Sequence, residues 1–300
     1  MPVGYNTAAS LNQSLNDMVS SIRLVREMPM GIAALCEQRR LGEGIGLDWT
    51  ETDYARLTAQ NVTETTELDN PQQVDDNTQI NIRPSDSGIH MFWTTRALHV
   101  MVRQGAGVLE QGTLALNGIR RKQDVDGLTA GQAATTDMGT AGNPLTSNLI
   151  FSALARIEGN ATEQNPDSPA HLVHHRFPLK DIHDEIISGV GTYDIGTGLT
   201  AQQFRQKFPA AMGTIGGCVV HANGNFVADA SDDTEGFIFA GGMGGALILV
   251  EDRALRIHRE FNSKRGGGGW DLRVYLGYAF GERAAGLWLY SLTADMTAPA

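Results

Sequence analysis

Between Trp270 and Phe280 the chain alternates with a period of two. Trp270, Leu272, Val274, Leu276, Tyr278 and Phe280 are separated by Asp271, Arg273, Tyr275, Gly277 and Ala279. Successive side chains of a strand point to opposite faces, so this pattern predicts a strand with one face buried. The turn-like stretch Gly281-Glu282-Arg283-Ala284-Ala285-Gly286 leads into Leu287-Trp288-Leu289-Tyr290-Ser291-Leu292, a second strand-like run, and the pair predicts a hairpin. Upstream, Ala246–Val250 and Leu255–Phe261 supply two more strand candidates, so the chain is expected to close as an antiparallel sheet.

A chain of 300 residues can bury a sizeable core without disulfides. Its two cysteines, Cys36 and Cys218, stand far apart and in no metal-binding spacing, as expected of a protein folded in a reducing cytoplasm and using them as small core residues. The start, Met1-Pro2-Val3-Gly4-Tyr5, lacks a basic segment followed by an apolar run, and no stretch approaches the roughly 18 apolar residues of a membrane span. Neither secretion nor membrane insertion is expected. A net charge of −11 argues against a surface dedicated to wrapping nucleic acid, which is built from Lys and Arg.

The charge is unevenly placed. From Gly46 to Ile80 stand Asp48, Glu51, Asp53, Glu64, Glu67, Asp69, Asp75 and Asp76 against Arg56 alone, whereas Arg96 to Asp126 holds Arg96, Arg103, Arg120, Arg121 and Lys122 against Glu110, Asp124 and Asp126. Segregation of this kind suggests segments that meet partners. Leu11, Leu15, Met18, Val19, Ile22 and Val25 recur at helical spacing within residues 9–28, and Pro29 and Gly31 stop the pattern. This predicts a helix that either docks elsewhere as an arm or caps its own domain.

Gly42 to Met91 is poor in aliphatics and broken by Pro71 and Pro84. Its ends look extended, with Ile80, Ile82 and Ile89 alternating with polar residues, while its middle has almost nothing to bury. A polar excursion this long is expected to be functional or to pair with another chain; local disorder is the plainer alternative. A long helix is predicted from about Gly107 to Val125, then a Gly-, Ala- and Thr-rich loop from Gly127 to Asn143. Asn148–Ile157 and Leu179–Ile187 predict short amphipathic helices flanking a strand at His171–Val173, with a further helix at Phe204–Phe208.

Candidate chemistry is sparse. His171, His174, His175 and His183, with Asp181 or Asp184, form the one ligand-like constellation, but a strand sends alternate residues to opposite faces, so at most two of the imidazoles converge. Satisfied imidazoles at a strand end are the expected reading, and no metal or cofactor site is assigned. Gly241–Gly245 precedes a strand rather than a helix and lacks a following Lys-Ser/Thr, so it reads as a tight crossing between two lobes, not a phosphate loop. Gly266–Gly269 reads as a strand-to-strand loop. The sequons at Asn61 and Asn160 carry no weight without secretion, and no Ser, His and Asp set has a recognisable context, so no enzymatic activity is expected.

In order, then, come a helical arm, a long polar β-like excursion, a long helix, a small α/β lobe and a return to antiparallel strands. That order resembles the major capsid protein of tailed double-stranded DNA bacteriophages, an α+β chain with the Hong Kong 97-like capsid fold. The residues that carry it are Leu15–Ile22 in the arm, Ile80–Gly88 closing the excursion, Arg120–Asp126 closing the long helix, and Leu276–Arg283 near the end.

The resemblance implies an N-terminal arm (1–41), an extended E-loop hairpin (42–91), a P-domain with spine helix and antiparallel sheet (92–143 and 246–300) and an α/β A-domain (144–245). It also implies hexamers and pentamers of the chain in a virion shell assembled in the host cytoplasm, with a portal, possible cement proteins and DNA held without sequence-specific binding. The arm begins almost at Met1, so a separate scaffolding protein is expected. The E-loop contains no lysine, so a Lys-to-Asn crosslink launched from it is not expected. Asp69, Asp75 and Asp76 are expected to approach Arg120, Arg121, Lys264 or Arg265 of adjacent subunits. Two alternatives stay open: an encapsulin-type compartment of the same fold, and a metal-dependent hydrolase using the His171–Asp184 region.

Overall fold

The computed structural model describes residues 31–42, 46–54, 57–63, 71–72, 76–100, 104–160, 169–188, 211–264, 267–283 and 286–297. The expected helices at 9–28 and 204–208 lie outside them. A 3-10 turn, Ile32–Ala34, precedes β1 (Glu37–Arg40), β2 (Trp49–Tyr54), β3 (Asp76–Ile82) and β4 (Ser85–Thr94). Helices α1 (Thr95–Val100), α2 (Gln104–Gln132) and α3 (Ser147–Glu158) follow, then β5 (Ala170–His174) and α4 (Arg176–Ser188). The chain ends through β6 (Ala211–Ile215), β7 (Cys218–Ala222), β8 (Asp233–Ala240), β9 (Leu247–Asn262), β10 (Gly269–Glu282) and β11 (Leu289–Asp295).

Three sheets result. One has the order β1-β9-β10-β4, the second β11-β8-β5-β7-β6, and the third is the two-stranded ribbon β2-β3. In the first, β1 runs parallel to β9, while β10 pairs antiparallel with both β9 and β4. The alternation in β10 is realised: Leu272, Val274, Leu276 and Tyr278 are buried, on the side that α2 covers. The two strand candidates upstream are one continuous strand, β9.

The predicted β10–β11 hairpin does not form. β10 turns back onto β9 through the Gly-rich loop, and β11 crosses to the second sheet, where it pairs with β8 from Leu289↔Phe239 to Asp295↔Asp233. The run Leu289, Tyr290, Ser291 and Leu292 is buried without alternation. That suits a strand covered on both faces, not one with a wet side. Residues 136–138 seal its outer edge: Met138 N–H donates to Ser291 O at 2.9 Å and Ser291 N–H to Thr136 O at 3.0 Å. So Leu289–Asp295, expected with 246–300, lies in the sheet formed mainly from 144–245.

Helix α2 exceeds its prediction at both ends. Residues 127–132, expected as loop, are helical, and Arg120–Asp126 lies inside the helix rather than closing it. The reason is contact. A Cβ on Gly127 would lie 2.6 Å from Ile32 Cγ2 and 2.9 Å from the Phe280 ring of β10, and one on Gly131 2.4 Å from the Phe237 ring of β8. These glycines let the helix press onto both sheets, which outweighs their propensity cost of about 1 kcal/mol each. The crossing at Gly241–Gly245 joins β8 of the second sheet to β9 of the first, with positive φ at Gly242 (80°) and Gly244 (78°) that only glycine adopts readily.

Candidate inter-subunit surface

The β2–β3 ribbon stands apart from both larger sheets. Its register runs from Trp49↔Ile82 to Tyr54↔Asp76; Tyr54 is 73% exposed, and Leu57 and Val62 in the following segment are each 55% exposed. Among the described residues apolar burial is found at the root, where Ile82 joins Leu41, Ile248 and Val250, with Trp49, Ile80 and Ala279 packed around them. A Cβ on Gly281 would lie 2.3 Å from Ile82 Cδ1, so β10 approaches the root closely there.

Beside that cluster Arg283 gathers four segments. Its Nε and Nη2 donate to Glu51 Oε2 and Oε1 at 2.7 and 2.8 Å, and Nη1 donates to Glu37 Oε2 at 2.6 Å and to Gly245 O at 3.1 Å. Glu37 Oε2 also accepts Gly244 N–H at 2.8 Å, Trp49 Nε1–H donates to Glu51 Oε1 at 3.1 Å, and Arg39 meets Glu37 Oε1 at 2.5 Å. The Arg283 hydrogen bond outweighs burial and holds the Glu51 carboxyl below its usual range. Burial pushes Glu37 up, but Arg283, the Gly244 N–H and Arg39 together bring it below its usual range as well. The hydrogen bonds that Arg283 donates to Glu51 and Glu37 in turn strengthen its proton affinity.

Of the expected contact residues, Asp69, Asp75 and Arg265 lie outside the described residues. Asp76 opens β3, its backbone opposite Tyr54. Arg120 and Arg121 are exposed on α2, and Lys264 is exposed in the β9–β10 loop, its N–H donating to Asn262 Oδ1. None of these three forms an ion pair with a described acid of its own chain. Next to that loop, β9 beyond Glu251 has no strand on its outer side among the described residues, and Ile257 (59%) and Phe261 (50%) are exposed along it. Arg259 lies 4.3 Å over the Trp270 ring.

Sequence reasoning missed the two polar hubs that join distant segments. One is Arg283. The other is Asp124, 4% exposed in the middle of α2, which accepts Ile32 N–H at 2.8 Å on Oδ1 and the side-chain amides of Asn223 (2.7 Å) and Asn225 (2.6 Å) on Oδ2. A buried carboxylate tolerates such a site when several N–H groups converge on it. The local signal was slight: an acid at a position where the helical pattern calls for an apolar residue.

His171, His174 and His221 are buried in the core. His171 Nδ1 meets His221 Nε2 at 3.0 Å across adjacent strands β5 and β7. His174 Nδ1 accepts His175 N–H at 2.9 Å, so its Nε2 carries the proton and donates to Leu292 O at 3.1 Å. Burial lowers His171 and His174 to about 4. Among the described residues no three His, Cys, Asp or Glu side chains gather as a metal site. Cys36 and Cys218 are buried free thiols, both pushed up by that burial. No described helix is long and apolar enough to cross a membrane.

No family model matches the chain, and no curated protein sequence does. Solved structures do. The head structure of Helicobacter pylori bacteriophage KHP40 aligns over 98% of both chains at a TM-score of 0.70 and 11% identity. The capsid of Ralstonia phage GP4 aligns over 94% of this chain and 95% of its own, at a TM-score of 0.70 and 11% identity. The SrpI encapsulin of Synechococcus elongatus PCC 7942 aligns over 99% of both, at 0.64 and 13%. Likeness over whole chains at such low identity resides in the path of the backbone, and that path, with its long helix, free ribbon and two sheets, is the Hong Kong 97-like capsid fold.

Proposed function

We propose that the chain is a major capsid protein whose copies assemble into the icosahedral shell enclosing the double-stranded DNA of a tailed bacteriophage. The observation that carries this reading is the β2–β3 ribbon. Two strands with no layer over them are marginal in water, and among its described residues this pair buries little beyond its root. A neighbouring copy supplies what the ribbon lacks. In this reading residues 1–41 form the arm, 42–91 the E-loop, 92–143 with β9 and β10 the P-domain that includes the spine helix α2, and 144–245 with β11 the A-domain. Asp69, Asp75 and Asp76 of one copy meet Arg120, Arg121, Lys264 or Arg265 of the next. Each exposed pair adds only about 0–1 kcal/mol, but the contacts repeat around the shell. The chain's net negative charge keeps packaged DNA from adhering to the wall. A scaffolding protein, a portal and a cement protein are the expected helpers, in a virion assembled in the host cytoplasm.

An encapsulin-type compartment is the second reading, favoured by the likeness to SrpI. Electron microscopy of the purified chain, alone and co-expressed with its scaffold, tests the shell. Closed particles or hexamer and pentamer rings support it; a monomer or dimer under both conditions overturns it. Protein cargo rather than DNA in the native particles moves the assignment to the compartment. Reversing Asp75 and Asp76 to lysine is expected to weaken particles at low salt, and particles with unchanged melting would exclude those two acids from the interface.

A further inference from the structure

The Arg283 hub is built asymmetrically. On one side it fixes the body: its own N–H donates to Ala246 O at 2.7 Å, and Nη1 is shared between Glu37 and Gly245 O, which ties β1, the crossing between the two sheets and the end of β10 together. On the other side its Nε and Nη2 hold the ribbon through Glu51 alone. The Glu37 side chain is 5% exposed and that of Glu51 22%.

Opening the two sides has unequal consequences. If the Glu51 fork opens, Arg283 keeps Glu37 as its counter-charge, and the Glu51 carboxylate, already part-exposed, regains water. If the Glu37 side opens, a nearly inaccessible carboxylate loses its buried cation and keeps only the Gly244 N–H and the more exposed Arg39, a more costly state. We infer that Arg283 is a latch with one releasable side: it sets the angle of the β2–β3 ribbon against the body and lets the ribbon swing at Glu51 while β1, the crossing and β10 stay fixed. Among the described residues little else resists the swing, because the apolar root is a small cluster around Ile82 and the indole N–H of Trp49 moves with the carboxylate it bonds.

The inference concerns a single chain and stands whether or not the chain builds a shell. Hydrogen–deuterium exchange on the purified full chain, in whatever assembly it forms, tests it. Glu51→Gln is expected to speed exchange in 49–54 and 76–82 by about tenfold, the loss of one charge-assisted fork, while β9, β10 and the five-stranded sheet keep wild-type rates. Arg283→Lys retains charge but cannot span the fork, and is expected to give the same ribbon pattern. Glu37→Gln is expected to spread the change into β1 and 241–245. Wild-type ribbon exchange in Glu51→Gln, or an equal rise in both sheets, would overturn the latch; if Arg283→Lys fails to fold, Glu51→Gln alone decides.

Discussion

The five-stranded sheet and the two-stranded ribbon are both β-structure, yet they are held by different physics. In the sheet, Phe237, Ile238, Phe239, Ala240, Leu289 and Leu292 are fully buried, and helices and the 136–138 segment close over it. In the ribbon the main chain pairs from Trp49↔Ile82 to Tyr54↔Asp76 with one irregularity, but among the described residues side-chain burial stops at the root and a guanidinium takes over. Hydrogen bonds paired against water contribute little net stability, so the ribbon is a projection whose position is set where it joins the body, while the sheet sets its own.

The largest expected effect therefore lies in the sheet. Phe237→Ala removes a ring that packs against Phe226, Phe239 and the helix at Gly131, and is expected to destabilise the chain by about 3–5 kcal/mol in denaturant unfolding. A change under about 1 kcal/mol would mean that this core collapses around the gap and is less ordered than the ribbon comparison assumes.

Acid separates the two regions next. His174 stays neutral in the fold to about 4, chiefly through burial and also because protonating Nδ1 would oppose the His175 N–H; His171 behaves alike, and burial takes His221 lower, to about 3. The unfolded chain takes up these protons from about pH 6.5, so stability falls from there towards pH 4 by up to about 1.4 kcal/mol per pH unit for each imidazole. The Arg283 latch has the other window. Glu37 and Glu51 have lowered values, so their contribution is present above the ordinary carboxylate range and is lost only as pH falls through it. Denaturant midpoints are expected to drop by about pH 5.5 while the ribbon's protection against exchange, relative to the intrinsic rate at each pH, stays at its neutral-pH level. Midpoints that hold flat from pH 7 to about 5 would remove the histidines from this account.

The same division governed what could be read from the residues alone. Period-two and helical spacing announced β10, α3 and α4, because burial on one face leaves a repeating trace. The order of these elements was enough to suggest the fold. Partner choice left no such trace: β11 follows β10 by a few residues yet pairs with β8, a decision made by burial on both faces of Leu289–Leu292. Glycines misled at the end of α2, where Gly127 and Gly131 serve close approach rather than chain termination. The hubs were least legible, since Arg283 meets Glu37 and Glu51 from 246 and 232 residues away and nothing local marks it.

At the ribbon root, Ile82→Val is expected to cost about 0.5–1.5 kcal/mol, less than the Phe237 change because the cluster it thins holds only a few side chains. An effect as large as that of Phe237→Ala would show the root to be part of the main core.

Beyond the root the expected effects shrink further. The Gln72 amide accepts Thr58 N–H at 2.8 Å and donates back to Thr58 O, so a side chain stands in for a missing pair of ladder bonds across the excursion. Both partners are exposed, and water replaces each bond when it breaks. Gln72→Ala should leave global stability within about 0.5 kcal/mol of wild type while quickening protease cleavage between residues 57 and 63. A global loss above about 1 kcal/mol would contradict the division drawn here, because it would require the far part of the excursion to be coupled to the core through more than its root.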